Sequence, residues 1–166
     1  NLHLLNPDGL LNKSNRWATL NGNEYFPNAE GRLYRNRFIT FGPDIAYYMG
    51  ADGSKLSNQI VEVNNNLHLL NPDGLLNKSN RWAILNGKEY FPNTEGRLYR
   101  NQFISFGPAY AYYLGSDGSK LSNQIVEVKD NLHLLNPDGL LNKSNRWASF
   151  NNKVYFPNAE GRLYRN

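Results

Sequence analysis

Apolar residues along this chain come in short bursts, each cut off by Gly, Pro, Asn or Asp before a helical period can establish itself. The stretch from Arg16 to Asn36, RWATLNGNEYFPNAEGRLYRN, is typical. A strand-like run from Arg16 to Leu20 meets Asn21-Gly22, a dipeptide suited to the type I′ turn because both central residues must take positive φ. Glu24-Tyr25-Phe26 then reads as the returning strand, followed by Pro27, Asn28 and a Glu30-Gly31 turn. Pairing across Asn21-Gly22 sets Leu20 opposite Asn23, Thr19 opposite Glu24, Ala18 opposite Tyr25 and Trp17 opposite Phe26. Alternation puts Trp17, Thr19, Glu24 and Phe26 on one face and Ala18, Leu20 and Tyr25 on the other, so both faces carry aromatic area.

The plan recurs. Phe38 to Phe41, a Gly42-Pro43-Asp44 turn and Tyr47-Tyr48-Met49 predict a second hairpin; Ile60 to Val63, an Asn64-Asn65-Asn66 turn and Leu67 to Leu70 predict a third. Glycines of the acidic-Gly turns, from Gly9 to Gly161, are spaced 22, 22, 21, 22, 22, 21 and 22 residues apart. A longer repeat encloses the short one: Asn1 to Trp17 returns letter for letter at Asn66 and Asn131, an offset of 65 residues. Such self-similarity predicts an array. The fold class expected is therefore all-β, with tandem hairpins of 21–22 residues stacked as a β-solenoid, three hairpins per 65-residue repeat. The chain reads as one array over 1–166, with long repeats 1–65 and 66–130 and a partial one at 131–166. It begins and ends inside a repeat, as a piece of something longer would.

Composition narrows the function. With no cysteine, disulfides and thiolate metal sites are excluded. The net charge of +4 is scattered, and acidic turns interrupt every basic stretch, which argues against nucleic acid as a partner. No apolar run approaches the ~20 residues that span a bilayer, so membrane insertion is not expected. His3, His68 and His133 are copies of one position, 65 residues apart, and form no ligand cluster. Single acidic residues such as Asp52 are turn formers rather than a calcium set. Every candidate nucleophile, base or acid recurs in each copy, so no unique catalytic constellation arises; neither enzymatic activity nor a cofactor is expected.

Aromatic, Asn-Gly turn, aromatic pair, acidic-Gly turn: the units from Trp17 to Gly31, Trp82 to Gly96 and Trp147 to Gly161 resemble the cell-wall-binding and glucan-binding repeats of Gram-positive surface proteins, among them choline-binding repeats. The resemblance covers essentially the whole chain. It implies a left-handed β-solenoid with Trp17, Trp82 and Trp147 along one edge, and an extracellular or cell-wall location. Choline-binding members cage a quaternary ammonium between the first Trp, an aromatic at the position of Glu24, and an aromatic of the next hairpin. Here that second position holds Glu24, Glu89 and Val154, with Ala46 and Ala111 in the middle unit, so a choline cage of the usual form is not expected.

Glycans are held by an aromatic platform with polar side chains for the hydroxyls. The candidates are Trp17, Trp82 and Trp147 with Arg16, Arg81 and Arg146, followed by Tyr34, Tyr99 and Tyr164 in the Arg-Leu-Tyr-Arg segments. A Trp repeated in every unit equally suits packing between hairpins. Tyr47-Tyr48 and Tyr112-Tyr113 are expected to split, one ring inward and one outward, the outward ring suiting a half-buried strand residue better than a sugar contact. Arg32, Arg35, Arg97, Arg100, Arg162 and Arg165 suit either the phosphate of a wall polymer such as teichoic acid or a solvated face. The expected function is a non-catalytic module binding cell-wall or other polysaccharide. Two rivals stay open, a structural stalk and a protein-receptor adhesion module: copies one and two differ at 11 of 65 positions, Ile45 against Tyr110 among them.

Overall fold

Each Asn-led turn folds two short runs into an antiparallel hairpin. In a computed structural model, which describes residues 1–164, fourteen strands pair this way and the described residues contain no helix. They are β1 (Ala18–Leu20) with β2 (Asn23–Tyr25), β3 (Arg37–Thr40) with β4 (Ala46–Met49), and β5 (Gln59–Val63) with β6 (Asn66–Leu70). Then come β7 (Ala83–Leu85) with β8 (Lys88–Tyr90), β9 (Gln102–Ser105) with β10 (Ala111–Leu114), β11 (Gln124–Val128) with β12 (Asn131–Leu135), and β13 (Ala148–Phe150) with β14 (Lys153–Tyr155). The all-β hairpin stack expected from the repeats is the one present.

The register across Asn21-Gly22 is the expected one, with Leu20, Thr19 and Ala18 opposite Asn23, Glu24 and Tyr25. Asn21 and Gly22 take φ of 50° and 78°, the left-handed pair that a two-residue hairpin turn requires. The third hairpin differs by one residue from its expectation. Asn66 is not part of the turn but pairs with Val63, because Asn64 and Asn65 alone, at φ 50° and 60°, close the loop. In the next copy Lys129 and Asp130 hold the same conformation at 49° and 62°.

Isolated hairpins this short are marginal in water. The segment after each acidic-Gly turn supplies what they lack. The described residues fall into two compact units, Asn1–Ser79 with Thr94–Arg97, and Asn80–Asn93 with the chain from Leu98 onward. Within the first, the Lys55 amide donates to the Glu24 carbonyl (2.8 Å) and the Leu56 amide to the Tyr48 carbonyl (2.9 Å), tying β2 to β4. Leu76 donates to Ala46 (2.9 Å) and Asn77 to Leu69 (2.9 Å), tying β4 to β6. The second unit repeats this with Lys120 on Glu89 (2.8 Å), Leu121 on Tyr113 (2.9 Å), Leu141 on Ala111 (2.8 Å) and Asn142 on Leu134 (2.8 Å). Each such segment staples two successive hairpins.

The staples carry core residues with them. In the first unit Phe26, Ile39 and Met49 are buried with Trp17, Tyr34 and Tyr47 against them, and Ala46, Leu70 and Leu76 form a second cluster under Phe38, Tyr48, Leu56 and Val61. In the second unit Ala111, Val126, Leu135 and Leu141 play the latter part. At Gly31, Gly96 and Gly161 the acidic-Gly turn packs tightly against a leucine side chain. Gly96 lies at φ +80°, and a Cβ there would meet the Leu76 side chain at 2.7 Å, whereas one at the hairpin turn Gly87 meets nothing within 4 Å.

Gly96→Ala is expected to destabilise by about 2–4 kcal/mol, the sum of a left-handed backbone penalty and overpacking. Gly87→Ala carries only the backbone penalty of about 1–2 kcal/mol. Urea denaturation of the two variants checks the difference; equal losses would remove the steric role of Gly96.

Candidate functional site

The alternation that puts Trp17, Glu24 and Phe26 on one face of the first hairpin gathers an aromatic cluster there. The Trp17 ring stands edge-on to Phe26 at 5.3 Å and to Tyr47 at 5.1 Å, with Phe41 at 6.1 Å. Phe26 in turn lies 6.1 Å from Tyr34 and 5.2 Å from Phe41. The second unit reproduces the cluster from Trp82, Phe91, Tyr99, Phe106 and Tyr112, at 5.3 Å for Trp82 to both Phe91 and Tyr112. Trp17 and Trp82 are thus half-buried packing residues between hairpins. Trp147 is 72 % exposed and keeps only the Phe156 contact, at 5.3 Å, among the described residues.

The paired tyrosines split between the two strand faces, and each ring is half-buried. Neither ring of Tyr47-Tyr48 is a free outward platform: Tyr47 packs on Trp17 at 5.1 Å, and Tyr48 packs edge-on to Phe38 at 5.0 Å on the opposite strand face. Tyr112 and Tyr113 do the same with Trp82 at 5.3 Å and Phe103 at 4.9 Å. Within each unit the middle hairpin, β3–β4 or β9–β10, has a neighbour on both sides, so both of its faces are covered.

A basic side chain that the sequence pattern did not single out completes the cluster. The Lys55 ammonium lies 5.4 Å from the Trp17 ring centroid and 5.3 Å from that of Tyr47, and it forms an ion pair with Glu24. Lys120 repeats this with Trp82 at 5.3 Å, Tyr112 at 5.4 Å and Glu89. Cation–π contacts contribute roughly 0.5–2 kcal/mol each, the larger values where water is excluded. The acid and the lysine stand far apart in sequence, yet the offset from Glu24 to Lys55 returns unchanged from Glu89 to Lys120. Every residue pair keeps its offset in a 65-residue repeat, so the sequence carries no signal that singles this one out.

Beside the cluster runs an open groove of about 340 Å³ lined by Asn15, Phe26, Tyr34, Arg37 and Phe41 among others. Its wall is amphipathic: Phe41 is 40 % exposed, and the Arg37 guanidinium lies over the Tyr34 ring at 5.6 Å. On its other side Tyr34 borders a second hollow of about 300 Å³ with Asn28, Arg32 and Arg35. Tyr99 is half-buried like Tyr34, while Tyr164 is 69 % exposed. Phe106, the counterpart of Phe41, is 44 % exposed, and Gln102 stands at the place of Arg37. Phe41, Phe106 and Arg37 were not singled out by sequence, because a residue at a turn edge gives no alternation signal.

Arg16, Arg81 and Arg146 are exposed. Arg32, Arg97 and Arg162 lie 3.7, 3.3 and 3.5 Å from Glu30, Glu95 and Glu160 on the solvated surface. Arg165 is outside the described residues. His68 and His133 are buried, whereas His3 is exposed. The Nδ1 of His68 donates to the Gly96 carbonyl (2.8 Å) and that of His133 to Gly161 (2.8 Å). Burial pushes both imidazoles below the ordinary value; the carbonyl bond opposes this, and Arg97 and Arg162 reinforce it. Among the described residues no three His, Asp or Glu converge on one point.

No protein-family model matches the sequence. Over 139 residues it is 29 % identical to Glucosyltransferase-S of Streptococcus mutans serotype c, a match taking in 82 % of this chain and 9 % of that protein. Among solved structures it is similar to choline binding protein F from Streptococcus pneumoniae, with TM-score 0.64 and 21 % identity over 98 % of this chain and 55 % of that one. The choline-binding domain of CbpL from the same organism gives TM-score 0.60 and 24 % identity over 89 % and 76 %. The chain spans less than two thirds of the length of the glucosyltransferase and of choline binding protein F. These likenesses show the fold: the resemblance drawn from Trp17 to Gly31 and its copies holds at that level.

Because the folded-state values of His68 and His133 are depressed, the folded state binds fewer protons than the unfolded chain. Their contribution is complete above about pH 6.5 and is lost as pH falls from there through the depressed values. The turn carboxylate Asp117, held down to about 2 chiefly by the Ser119 hydroxyl, titrates far below this window. Tm is therefore expected to fall between pH 8 and pH 5, and the His68→Gln/His133→Gln variant to flatten that slope. An unchanged slope in the variant would contradict the assignment.

Proposed function

We propose that this chain is a non-catalytic repeat module of a bacterial surface or secreted protein, located outside the cell or at the wall, which binds cell-wall or other polysaccharide. The single observation that carries the reading is the groove at Tyr34 and Phe41. It offers partly exposed ring faces beside Arg37 and Asn15, the combination that stacks on a sugar face and bonds its hydroxyls. The ring arrangement recurs at Tyr99 and Phe106, so a polymer meets it more than once. Weak repeated sites on one chain gain avidity through effective concentration.

The names of similar proteins support the same partner class. Choline binding protein F has been solved in the presence of a peptidoglycan analogue, and the autolysin LytC, at 18 % identity, with a synthetic peptidoglycan ligand. The weight falls on Tyr34, Tyr99 and Tyr164 rather than on Trp17 and Trp82, whose rings are engaged in packing. Teichoic acid phosphate is a weaker candidate, since Arg32, Arg97 and Arg162 each lie beside a glutamate. One observation favours the stalk reading: position 45 is an exposed Ile in the first copy, and its counterpart is an exposed Tyr110 in the second. Outward residues that change freely suit a spacer.

Retention of this chain on insoluble α-glucan, purified peptidoglycan and intact Gram-positive walls separates the two. Glycan binding predicts retention on at least one, weakened about tenfold or more when Tyr34, Tyr99 and Tyr164 are changed to Ala with the circular dichroism unchanged, a loss of about 1.4 kcal/mol or more. Absence of retention on all three moves the function to the stalk.

A further inference from the structure

The lysines of the two aromatic clusters occupy positions that a small cation in solution would otherwise take. Lys55 and Lys120 are largely withdrawn from water, their side chains 15 % and 17 % exposed, with two ring faces and a carboxylate around each ammonium. Their backbones are held by the staples, the Lys55 and Lys120 amides donating hydrogen bonds to the Glu24 and Glu89 carbonyls at 2.8 Å. We propose that Trp17, Tyr47 and Glu24, and likewise Trp82, Tyr112 and Glu89, form primary-ammonium sites whose resident ligand is the chain's own lysine, and that these seats are thereby closed to choline-like cations.

Two arguments carry this. A quaternary ammonium has no N–H, so a carboxylate at the wall gives it charge but no hydrogen bond; a primary ammonium has three donors and satisfies Glu24 while its face meets the rings. The glutamate that departs from an all-aromatic cage is therefore the element that selects lysine. The lysine is also tethered. A soluble cation has to displace an internal ligand whose effective concentration is on the order of millimolar or above. The consequence is a stack locked by its own side chains, needing no soluble cation to join β2 to β4 or β8 to β10. The Trp147 copy lacks the seat: Val154 replaces the glutamate, and among the described residues no lysine lies over the ring. This inference does not rest on the glycan reading, and its test reads ammonium binding, not retention on polysaccharide.

The test is chemical rescue. The Lys55→Ala/Lys120→Ala variant and the unaltered chain are titrated with methylammonium, tetramethylammonium and sodium chlorides at equal ionic strength, followed by Trp fluorescence, circular dichroism and Tm. The unaltered chain is expected to show no saturable response to any of the three. The variant is expected to lose several degrees in Tm and to recover most of them with methylammonium, less with tetramethylammonium and none with sodium. A saturable response of the unaltered chain, a folded variant indifferent to methylammonium, or a larger effect of tetramethylammonium would each overturn the proposal. If the alanine variant fails to fold at every concentration, Lys55→Met/Lys120→Met decides, because it keeps the stems and removes only the charge. It is expected to melt below the unaltered chain, with a smaller dependence on salt, and an equal Tm would overturn the proposal.

Discussion

The structure depends on backbone hydrogen bonds from the few residues that follow each acidic-Gly turn. Two-stranded hairpins of three to five residues per strand leave both edges unpaired and both faces wet. The Lys55-Leu56 and Lys120-Leu121 pairs donate in opposite directions, to the hairpin before and the hairpin just completed. This converts two unstable hairpins into one joined layer and delivers Leu56 and Leu121 to the core at the same place. The glycine before a staple is part of the same device: a Cβ at Gly53 would meet the Leu33 side chain at 3.2 Å, and one at Gly74 the Leu56 carbonyl and the Lys55 stem at 3.1 Å.

Much of this was legible in the residues. The Asn21-Gly22 turn and the alternation around it specified a register that the structure reproduces pair by pair, because two-residue turns leave the strands no freedom to slip. The Asn64-Asn65-Asn66 turn was read one residue too long: three asparagines all tolerate left-handed φ, and only the pairing of Val63 with Asn66 decides which two use it. The staples were not legible, since Ser54 to Leu56 carries no alternation of its own and its partners lie a full hairpin away.

The same distance hid the site. Strand alternation puts Tyr47 and Tyr48 on opposite faces; the ring that each packs on is not legible in it, because the partners come from neighbouring strands and hairpins. Glu24 was visible as a break in an aromatic pattern, but its meaning required Lys55, which only the staple brings back to it. Trp17 and Trp82 belong to packing around the ion pairs, and in the first unit the groove is left to Tyr34 and Phe41, with Arg37 beside them. One repeat thus uses its rings for two purposes, a closed cluster that holds hairpins together and an open groove that faces solvent.

Amide hydrogen exchange followed by NMR tests the role of the staples most directly. The amides of Lys55, Leu56, Leu76, Lys120, Leu121 and Leu141 are predicted to be protected as strongly as those of β4 and β10, opening only with the hairpins they join. Exchange at those six positions as fast as in an exposed loop, while β4 and β10 stay protected, would mean that the hairpins stand without the staples and would contradict the account.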